Sequence, residues 1–506
     1  MNEAPTNLPL TVKDFDKEKL GICFGCGCYC GYIAYLKGES IVDVYGLPKD
    51  PNGMGSLCSK GIALIQDLPN NPMRVRKVLI REGDGFREGT FEEVRERVGG
   101  RVGIFLDRVT TDLRDHLTAL KVTDMVYSEA VHIPFKPSTL KPQEWTERKV
   151  IIAVECDPVF SEVMSVRWIV DAVEKGSYLL YIGSRFGTVA QKATETILVK
   201  PPLVVRFLEK LAEEVEGKKT GDATAEKVAN LILKIGSSAL LIGDTLLRTR
   251  WRGNVLNSLQ RIRKRTGSDY TIVGDVSPLP VRGVDDLIRE LGEIDTLITT
   301  GNPFVYLPED KAEGPFKIHI TLFPNLTANL SDVVIPASSF QEREFKGYRN
   351  GFGQVRSSGP ITTGEGYTLS EVLRILFGVE VYDVTLPHLP PIEDVRLDVQ
   401  ETSVEDEGVY LLADRTLVDD LGHWILWTHE MEGGQVVRMN EKTARSLGVS
   451  ETVVIGGNEL KVKIDNNVAD DTILFPDSFE ETQPFDPGVR VGKATGGTGE
   501  RVIRYR

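Results

Sequence analysis

The sequence predicts a mixed α/β protein of several domains, and three observations carry this prediction. Strand and helix periods alternate between residues 149 and 335, strand periods dominate the last hundred residues, and five cysteines lie within the first 58 positions. The chain has 506 residues, which at roughly 150 residues per domain corresponds to about three domains. This length is ample for hydrophobic cores, so folding does not require disulfides.

Charge and hydropathy exclude two classes of protein. The chain has 60 Lys and Arg against 74 Asp and Glu, a net charge of −14, whereas binding to nucleic acid phosphates requires a surplus of Lys and Arg. No run approaches the roughly 18 apolar residues of a membrane span. The start, Met1-Asn2-Glu3-Ala4-Pro5, lacks the basic and apolar parts of a secretory signal. We therefore expect a cytoplasmic protein with no direct membrane span and no nucleic acid partner.

The middle of the chain carries the α/β signal. A strand of the buried type at 149–158 precedes a helix-periodic stretch at 162–175 and a strand at 177–182, the order of a parallel βαβ unit. A second passage predicts strands at 239–242, 270–273 and 296–299 and a helix at 253–266. Ligands of such sheets normally bind at the carboxyl ends of the strands.

The last part of the chain differs in pattern. Residues 386–407 are rich in Pro, Asp and Glu and lack a helical period, which predicts a linker. Strand-like alternation follows at 436–439, 452–455, 460–464 and 472–476. Asn440 and Gly448 predict the caps of a short helix between the first two of these strands.

The cysteines predict a metal site. In a cytosolic chain such a cluster indicates metal binding or catalysis before a disulfide framework. Four of the cysteines have the spacing C-x2-C-x3-C-x27-C, namely Cys23, Cys26, Cys30 and Cys58. Four thiolates are what a [4Fe–4S] cluster needs, one per iron. The interleaved Gly25, Gly27 and Gly31 allow tight turns and offer N–H groups to the sulfurs.

Two other interpretations of the cysteines stay open. A structural zinc site also uses four thiolates, although it usually has two CxxC pairs and the second is missing here. The second interpretation is a redox disulfide among Cys26, Cys28 and Cys30. Cys28 is surplus to the cluster and is expected as a free thiol beside it; the main competing assignment has Cys28 in place of Cys30.

The residues between the third and fourth cysteine support a cluster. Residues 32–36 and 41–45 predict a hairpin that brings Cys58 back towards the loop. Lys60 follows in Ser59-Lys60-Gly61, just before an apolar stretch that predicts a helix. Its side chain is either a solvated surface lysine or a cation that offsets the charge of the four thiolates.

The motif C-x2-C-x3-C-x27-C-S-K-G resembles the amino-terminal signature of the molybdopterin oxidoreductase superfamily. That superfamily includes formate dehydrogenase alpha subunits, the formylmethanofuran dehydrogenase catalytic subunit and the large peripheral-arm subunit of respiratory complex I. The resemblance implies that Cys23, Cys26, Cys30 and Cys58 hold one [4Fe–4S] cluster. It also implies that Lys60 lies between this cluster and a pterin.

Further segments are similar to the same superfamily. Arg74 and Thr90-Phe91-Glu92-Glu93 resemble its first small domain, and Gly301-Asn302-Pro303 resembles its Gly-x-Asn-Pro turn. Residues 328–337 resemble its "ADVVLPAA" strand. The resemblance implies a molybdopterin-oxidoreductase-like fold of four parts: a small amino-terminal [4Fe–4S] domain, two Rossmann-like α/β domains with parallel sheets and a C-terminal β-barrel.

The corresponding boundaries place the cluster domain with its hairpins at 1–80 and the α/β domains at 81–235 and 236–385. The linker at 386–407 then leads to a barrel, similar to a dinucleotide-binding domain, at 408–506.

Three departures from the superfamily pattern bear on activity. The interval 106–147, where a protein ligand to the catalytic metal is expected, has no Cys; it has Thr110, Thr111, Ser128 and Ser138, and Cys156 lies too late. The turns that bind dinucleotide are altered to Gly183-Ser184-Arg185 and Lys200-Pro201-Pro202, and Phe352-Gly353-Gln354 replaces Glu-Gly-Arg near Asn350. The chain is also shorter than active members. Cys156 is expected as a small buried residue, and Arg282 as a solvated loop arginine rather than a substrate-binding one.

These departures favour one of two hypotheses. In the first, the chain is an iron–sulfur electron-transfer subunit of a multi-subunit oxidoreductase whose catalytic metal site is lost, with other Fe–S or flavin subunits as partners. In the alternative, it is a minimal Mo- or W-bis-pterin enzyme that oxidises formate or a formyl group. On the first hypothesis the chain transfers electrons rather than converting a substrate, and the pterin is doubtful.

Overall fold

The structure, a computed structural model, describes most of the chain. The residues described are 14–107, 125–159, 161–274, 276–277, 281–306, 314–378, 389–397, 399–414, 422–426, 428, 436–455, 458–476, 479–480 and 490–491. Thr110 and Thr111 lie outside the described residues.

The strands are numbered in chain order. They are β1 Lys17–Ile22, β2 Gly31–Lys37, β3 Ser40–Gly46, β4 Leu79–Glu82, β5 Gly85–Glu88, β6 Val102–Leu106, β7 Val126–Ser128, β8 Val131–His132, β9 Val150–Val154, β10 Tyr178–Gly183, β11 Glu195–Leu198, β12 Ser238–Gly243, β13 Asp269–Val273, β14 Val276–Ser277, β15 Thr296–Thr299, β16 Phe316–Thr321, β17 Val333–Pro336, β18 Phe345–Arg349, β19 Val355–Ser358, β20 Val409–Asp414, β21 Val436–Met439, β22 Thr452–Ile455, β23 Asn458–Ile464, β24 Thr472–Pro476 and β25 Arg490–Val491.

The α-helices are numbered in the same way. They are α1 Ser59–Asp67, α2 Phe91–Arg95, α3 Val166–Glu174, α4 Thr188–Lys192, α5 Pro201–Val215, α6 Ala223–Ile235, α7 Asp244–Leu247, α8 Arg252–Thr266, α9 Val284–Glu290, α10 Leu326–Leu330, α11 Leu369–Phe377 and α12 Glu441–Leu447. None of the described helices has the length and apolar character needed to cross a bilayer.

The amino-terminal sheet is antiparallel, in the order β1-β2-β3. The predicted hairpin is confirmed as β2 and β3, joined by a turn in which Gly38 has a φ of 62°. Only glycine adopts such left-handed values readily, which explains this residue at the turn. The chain then passes to α1, whose N-cap is Cys58. The hairpin therefore brings the fourth cysteine of the motif to the start of a helix.

A five-stranded parallel sheet forms the centre of the molecule, in the order β11-β10-β9-β12-β13. Its strands are apolar on both faces because helices cover both. One face packs against α5, α6 and α8, and the other against α3, α4 and the cysteine loop. The chain reverses its direction of winding between β9 and β12, and this is where ligands of open α/β sheets bind.

A seven-stranded sheet lies beside it, in the order β5-β4-β17-β16-β15-β6-β7. Its last five strands are parallel, and β4 and β5 extend it in the antiparallel sense. Helix α11 and the start of α2 pack on one face of this sheet, and α9 packs on the other. Two small two-stranded pairs complete this part, β8 with β14 and β18 with β19.

Each of the two main sheets takes strands from both of the predicted α/β segments. The seven-stranded sheet takes β6 and β7 from before the predicted boundary at residue 235 and β15 to β17 from after it. The five-stranded sheet likewise takes β9 to β11 and then β12 and β13 from the two sides. Sequence order suggests that neighbouring segments share a sheet, but here the chain leaves one sheet and later returns to it. How the chain divides into domains stays a prediction.

The carboxy-terminal part is a six-stranded mixed sheet, in the order β22-β23-β21-β24-β20-β25. The predicted capped helix is confirmed as α12, because the Asn440 side chain accepts the N–H of Thr443 and Gly448 has a φ of 69°. The described strands leave β22 and β25 at the edges, so closure into a barrel stays a prediction. The predicted linker packs along α8, where Gln260 donates to the carbonyls of Ile392 and Val395.

Candidate metal centre

The first three cysteines of the motif lie in one short loop between β1 and β2. The N–H of Cys23 donates to the carbonyl of Cys30 at 2.8 Å, which closes the base of the loop. Within it, Tyr29 has a φ of 48°, a left-handed value that residues other than glycine rarely adopt. Such strain persists only where the surroundings impose it, often at functional sites.

Cys58 faces this loop from the start of α1. A Cβ atom added to Gly61 would lie 3.3 Å from Sγ of Cys23 and 3.5 Å from Sγ of Cys58, so both sulfurs flank the same glycine. The N–H of Gly61 donates to Sγ of Cys58 at 3.3 Å, and the N–H of Gly25 donates to Sγ of Cys23 at 3.4 Å. Of the three interleaved glycines, Gly25 thus supplies an N–H group to sulfur as predicted, whereas Gly27 donates to the carbonyl of Ser161; Gly61, which was not predicted to do so, supplies the second N–H group.

The six cysteines are free thiols, and the four of the motif influence one another. Burial raises the pKa of Cys23 well above its ordinary value, and the neighbouring Cys58, Cys26 and Cys30 raise it further. Burial likewise raises the pKa of Cys58 to about 12, with Cys26 and Cys30 adding to the effect. A bound metal favours the thiolate form, so iron would offset the rise in the pKa of Cys23 and Cys58.

This arrangement fits a [4Fe–4S] cluster. The four thiols come from two elements, and each influences the ionisation of others in the set. In the described part of the chain, no group of three or more His, Cys, Asp or Glu side chains has the arrangement of a site for one metal ion. A [4Fe–4S] cluster differs from a single-ion site because it takes one thiolate per iron. That Cys23, Cys26, Cys30 and Cys58 are the ligands stays a prediction.

Lys60 is buried beside these sulfurs. Its residue is 3% exposed, so the solvated interpretation of this lysine is wrong. The pKa of Cys26 is lowered to about 7, first by a hydrogen bond with the Cys28 thiol and also by the Lys60 ammonium. The same ammonium opposes the rise in the pKa of Cys58 that burial causes. Lys60 therefore stabilises negative charge on two thiols of the motif.

Cys28 is buried next to the predicted ligands. Burial raises its pKa well above the ordinary value, and hydrogen bonds with Cys26 and Cys30 raise it further. Its carbonyl accepts the side-chain amides of Asn52 at 2.6 Å and Asn350 at 3.2 Å. Both amides also donate to Oε1 of Gln354. Two amide side chains, tied together by Gln354, thus hold the loop at Cys28.

A buried carboxylate supports the other side of the loop. Glu162 is 0% exposed, and its Oε1 accepts the N–H of Gly274 at 3.0 Å. A Cβ at Gly27 would lie 2.6 Å from this Oε1, and one at Gly351 would lie 2.9 Å from it. The N–H of Gly351 also donates to the carbonyl of Gly27 at 3.1 Å. The motif glycine Gly27 is therefore required by close packing as well as by the turn.

Sequence reasoning missed Asn52 and Glu162 as supports of the loop. They are separated from Cys28 or Gly27 by long stretches of chain, and neither belongs to a motif. Asn350 and Gln354 were noted only as departures from the superfamily pattern. The available signal for Glu162 was its position between a predicted strand and a predicted helix. The sequence does not tell which loop its side chain contacts.

Arg74 and Arg282 both form ion pairs. Arg74 donates to both carboxylate oxygens of Glu342, at 2.6 and 2.8 Å, and to the carbonyls of Pro69 and Ala337. This joins the end of α1 to the loop after β17. Arg282 pairs with Glu290 and lies over the ring of Tyr127. Its side chain is 37% exposed, and the Glu290 contact shows that it is paired rather than simply solvated.

The carboxyl-terminal edge of the five-stranded sheet is the second region with functional potential. Four acidic residues follow its strands closely: Glu155, Asp157, Glu162 and Asp244. Glu155 accepts the N–H of Ser184 at 2.9 Å and its hydroxyl at 3.0 Å. Burial raises the pKa of Asp157, and the N–H groups of Thr188 and Val189 at the start of α4 oppose the rise. Two amide sites along this edge, Ser184 and Gly274, therefore donate to carboxylates of the chain itself.

Glu155 is strained and buried. Its φ is 43°, and its carbonyl lies so close to Gly243 that a Cβ there would be 1.9 Å from it. Burial raises the pKa of Glu155 to about 7, although the two Ser184 hydrogen bonds oppose the rise. Asp414 on β20 raises it further.

The carboxy-terminal sheet docks directly on this edge. The N–H of Phe186 donates to the carbonyl of Asn467 at 2.6 Å, and the N–H of Ala469 donates to the carbonyl of Ser184 at 2.8 Å. Arg185 forms an ion pair of 2.6 Å with Asp414. Lys200 pairs with Asp471 at 3.2 Å. The segments predicted to contact a dinucleotide therefore contact the carboxy-terminal sheet.

Three of the residues considered as ligands of a catalytic metal, Cys156, Ser128 and Ser138, are among those that the structure describes. Burial raises the pKa of Cys156 well above its ordinary value, and Glu162, Asp157, Asp244 and Glu155 raise it further. A metal ligand must be a thiolate, which these carboxylates disfavour. Ser138 donates to the carbonyl of Leu140, and Ser128 accepts the N–H of Ala130. Cys156 is buried, as expected of a small packing residue.

Comparisons with known proteins agree with the amino-terminal motif. Residues 16–70 match the molybdopterin oxidoreductase Fe4S4 domain. Two Bacillus subtilis (strain 168) proteins are similar over 108 residues: "Probable oxidoreductase YjgC", at 31% identity, and "Putative formate dehydrogenase YrhE", at 27%. The similar segment covers 21% of this chain and 11% of each relative.

The fold has a counterpart among solved structures. Acetylene hydratase from Pelobacter acetylenicus is similar over 94% of both chains, with a TM-score of 0.71 and 13% identity. At this identity the likeness concerns the fold, and it confirms a mixed α/β architecture with parallel sheets. Together with the Fe4S4 match, it supports the resemblance that the motifs predict: residues 16–70 are similar to the Fe4S4 domain of molybdopterin oxidoreductases, and the fold is similar to that of a solved acetylene hydratase.

Proposed function

We propose that the chain is an iron–sulfur electron-transfer subunit of a multi-subunit oxidoreductase. The observation that carries the proposal is the convergence of four thiols from the β1–β2 loop and the start of α1, with the buried Lys60 beside them. Cys23, Cys26, Cys30 and Cys58 would hold one [4Fe–4S] cluster. When bound, such a cluster accepts and releases single electrons.

The residues around the loop have distinct tasks in this proposal. Lys60 offsets part of the negative charge of the four thiolates. The N–H groups of Gly25 and Gly61 stabilise charge on Sγ of Cys23 and Cys58, and such hydrogen bonds raise the reduction potential of a cluster. Asn52 and Asn350 fix the backbone at Cys28, so the loop keeps its shape in both oxidation states.

Partners follow from the need for a donor and an acceptor. A single cluster on one chain stores one electron and converts no substrate by itself. We infer that other Fe–S or flavin subunits supply and remove electrons, and that the assembly is cytoplasmic. Cys26 and Cys58 are the two motif thiols that keep partial exposure, so electrons would enter or leave on their side.

The first test is Cys58→Ala in the full chain. We expect the variant to lose the visible absorbance and the electron paramagnetic resonance signal of the cluster, because a cube of four irons needs four thiolates. Iron and acid-labile sulfide, both expected at about four per chain in the wild type, measure the same loss.

Cys28→Ala is the matched control, since Cys28 is buried in the same loop. It should keep the iron and the signal. Loss of the cluster in Cys28→Ala, with retention in Cys30→Ala, would show that the ligand set is wrong. A wild-type protein with one zinc and no iron would refute the proposal itself.

A compact Mo- or W-bis-pterin enzyme is the second candidate. The extent of the fold likeness favours it, because similarity to acetylene hydratase covers 94% of this chain. It would oxidise formate or a formyl group, and its metal would lack a conventional protein ligand. Formate-dependent reduction of a dye by purified protein that contains Mo or W would support this candidate.

A further inference from the structure

We propose that the carboxyl-terminal edge of the five-stranded sheet is sealed by the chain's own carboxylates and by its carboxy-terminal sheet, and that it does not accept a pterin dinucleotide. This deepens the proposed function and rests on it for the presence of the [4Fe–4S] cluster. The consequence is that the cluster is the redox centre of this chain.

The first argument concerns hydrogen-bond donors. A dinucleotide phosphate at this edge of an α/β sheet binds to backbone N–H groups of the turns and helix starts. Here the N–H of Ser184 after β10 donates to Glu155, and the N–H of Gly274 after β13 donates to Glu162. The Asp157 carboxylate lies against the turn before α4, where a Cβ at Gly187 would be 1.8 Å from its Oδ2. The carboxylates take the place that phosphate oxygens would need.

The start of α5 is unsuited to a phosphate for a different reason. A helix N-terminus binds anions through its first free N–H groups. Helix α5 begins with Pro201 and Pro202, and proline has no N–H. The preceding Lys200 is paired with Asp471.

The third argument is charge. Phosphate groups are anionic, and four acidic side chains lie close enough to Cys156 to raise its pKa: Glu155, Asp157, Glu162 and Asp244. The nearby cation Arg185 already pairs with Asp414 at 2.6 Å, and Arg248 lies 3.5 Å from Asp244. A bound phosphate would meet like charges and would have to displace cations from their carboxylate partners.

The fourth argument is closure. The loop after β10 is joined to the segment before β24 by two backbone hydrogen bonds, Phe186 to Asn467 and Ala469 to Ser184. A dinucleotide between the two sheets would have to break both. The same contacts leave Val468 and Ala469 1% exposed.

The test uses the full chain, produced in a host that makes pterin dinucleotides and is supplied with molybdate and tungstate. We expect about four irons per chain, with Mo, W and pterin at background. Pterin and Mo or W approaching one or more per chain would overturn the inference. If cluster and pterin are both missing, the proposed function fails while this inference stands; if both are present, this inference fails and the cluster remains.

A variant tests whether Glu155 causes the exclusion. Guanosine diphosphate serves as a probe of a dinucleotide tail, and equilibrium dialysis against the wild-type protein should detect no binding. Glu155→Ala frees the Ser184 N–H and removes a carboxyl group that is ionised at pH 8, so at that pH it should bind the probe at least about tenfold more tightly, which corresponds to about 1.4 kcal/mol. The control is Glu216→Ala, which removes a carboxylate paired with Arg261 on the surface.

Retention of the cluster signal shows that each variant is folded. A folded Glu155→Ala that binds no more tightly than the wild type would refute the role given to Glu155. Stoichiometric binding of the probe to the wild type would refute the exclusion as a whole. The metal and pterin content of the wild type decides the inference even if Glu155→Ala does not fold.

Discussion

The cysteine loop and the edge of the five-stranded sheet bury charge in opposite ways. At the cysteine loop, neutral thiols lie with one buried cation, Lys60, and with amide side chains that fix the backbone. At the sheet edge, Glu155 and Glu162 accept backbone N–H groups, and Asp244 pairs with Arg248. The first region is arranged to gain negative charge when iron and sulfide bind. In the second, the chain's own carboxyl groups already use N–H groups and cations that a bound anion would need, which explains why we assign a cofactor to one region and not to the other.

Of the changes that test this comparison, we expect Arg74→Ala to have the largest effect, on the free energy of unfolding. Arg74 and Glu342 form a bidentate pair with side chains 2% and 4% exposed, and the pair holds the end of α1 behind the cysteine loop. Removing the guanidinium leaves the Glu342 carboxylate buried and unpaired, which should lower the free energy of unfolding by about 3–5 kcal/mol. Urea unfolding followed by circular dichroism measures the change.

Arg87→Ala is the matched control for Arg74→Ala. Arg87 pairs with Glu93 on the surface, where both side chains are well solvated, so little change is expected. Equal losses in the two variants would mean that burial of the Arg74 pair does not matter. In that case the scaffold behind the cysteine loop would rest on other contacts.

The second prediction concerns pH and the sheet edge. The pKa of Glu155 is raised to about 7 in the folded chain, mainly by burial, from an ordinary value of 4.5. The folded state therefore binds the proton more tightly than the unfolded state, and the stability due to this proton is lost as the pH rises from about 4.5 to about 7. The loss is on the order of 3 kcal/mol.

Glu155→Gln isolates this effect, because the amide keeps the size of the side chain and does not titrate. Urea midpoints measured between pH 5 and pH 8 should fall less for Glu155→Gln than for the wild type. Glu216→Gln is the control, since the pKa of Glu216 is lowered by its hydrogen bond with Arg261. Parallel curves for the wild type and Glu155→Gln would show that Glu155 is already ionised at pH 5.

Local patterns were sufficient to predict much of the cysteine region. The hairpin of β2 and β3 follows from strand periods on either side of Lys37-Gly38, and α12 follows from Asn440 and Gly448. Such features depend on neighbours along the chain. The four cysteines could be grouped because their spacing is itself a motif.

The remaining parts depend on contacts between distant segments. Glu162 meets Gly27 and Gly351, which lie on opposite sides of it in the sequence. Likewise, β6 pairs with β15 across almost two hundred residues, so no local period could reveal that the two main sheets alternate along the chain. The left-handed backbone of Glu155 could not be predicted either. It depends on a close approach of the Glu155 carbonyl to Gly243, which lies far away in the sequence.

The third prediction returns to the cation of the cysteine loop. Lys60→Met keeps the length and the apolar part of the side chain but removes the charge. Reduction adds one electron to the cluster, and a nearby cation favours the reduced form. The reduction potential should therefore fall, on the order of 100 mV for a charge several ångströms away in a medium of intermediate dielectric constant. A redox titration followed by electron paramagnetic resonance measures the shift.

Two control variants, Lys60→Arg and Lys17→Met, test whether the change in reduction potential is due to the charge at position 60. Lys60→Arg restores the charge and should recover most of the potential, whereas Lys17→Met removes an exposed lysine that pairs with Glu39 and should leave the potential unchanged. A potential that moves equally in Lys17→Met would reflect net charge rather than position. A potential that stays constant in Lys60→Met would mean that Lys60 acts on the thiols only before the cluster is assembled. The contrast between the two regions would then lie in the thiols alone.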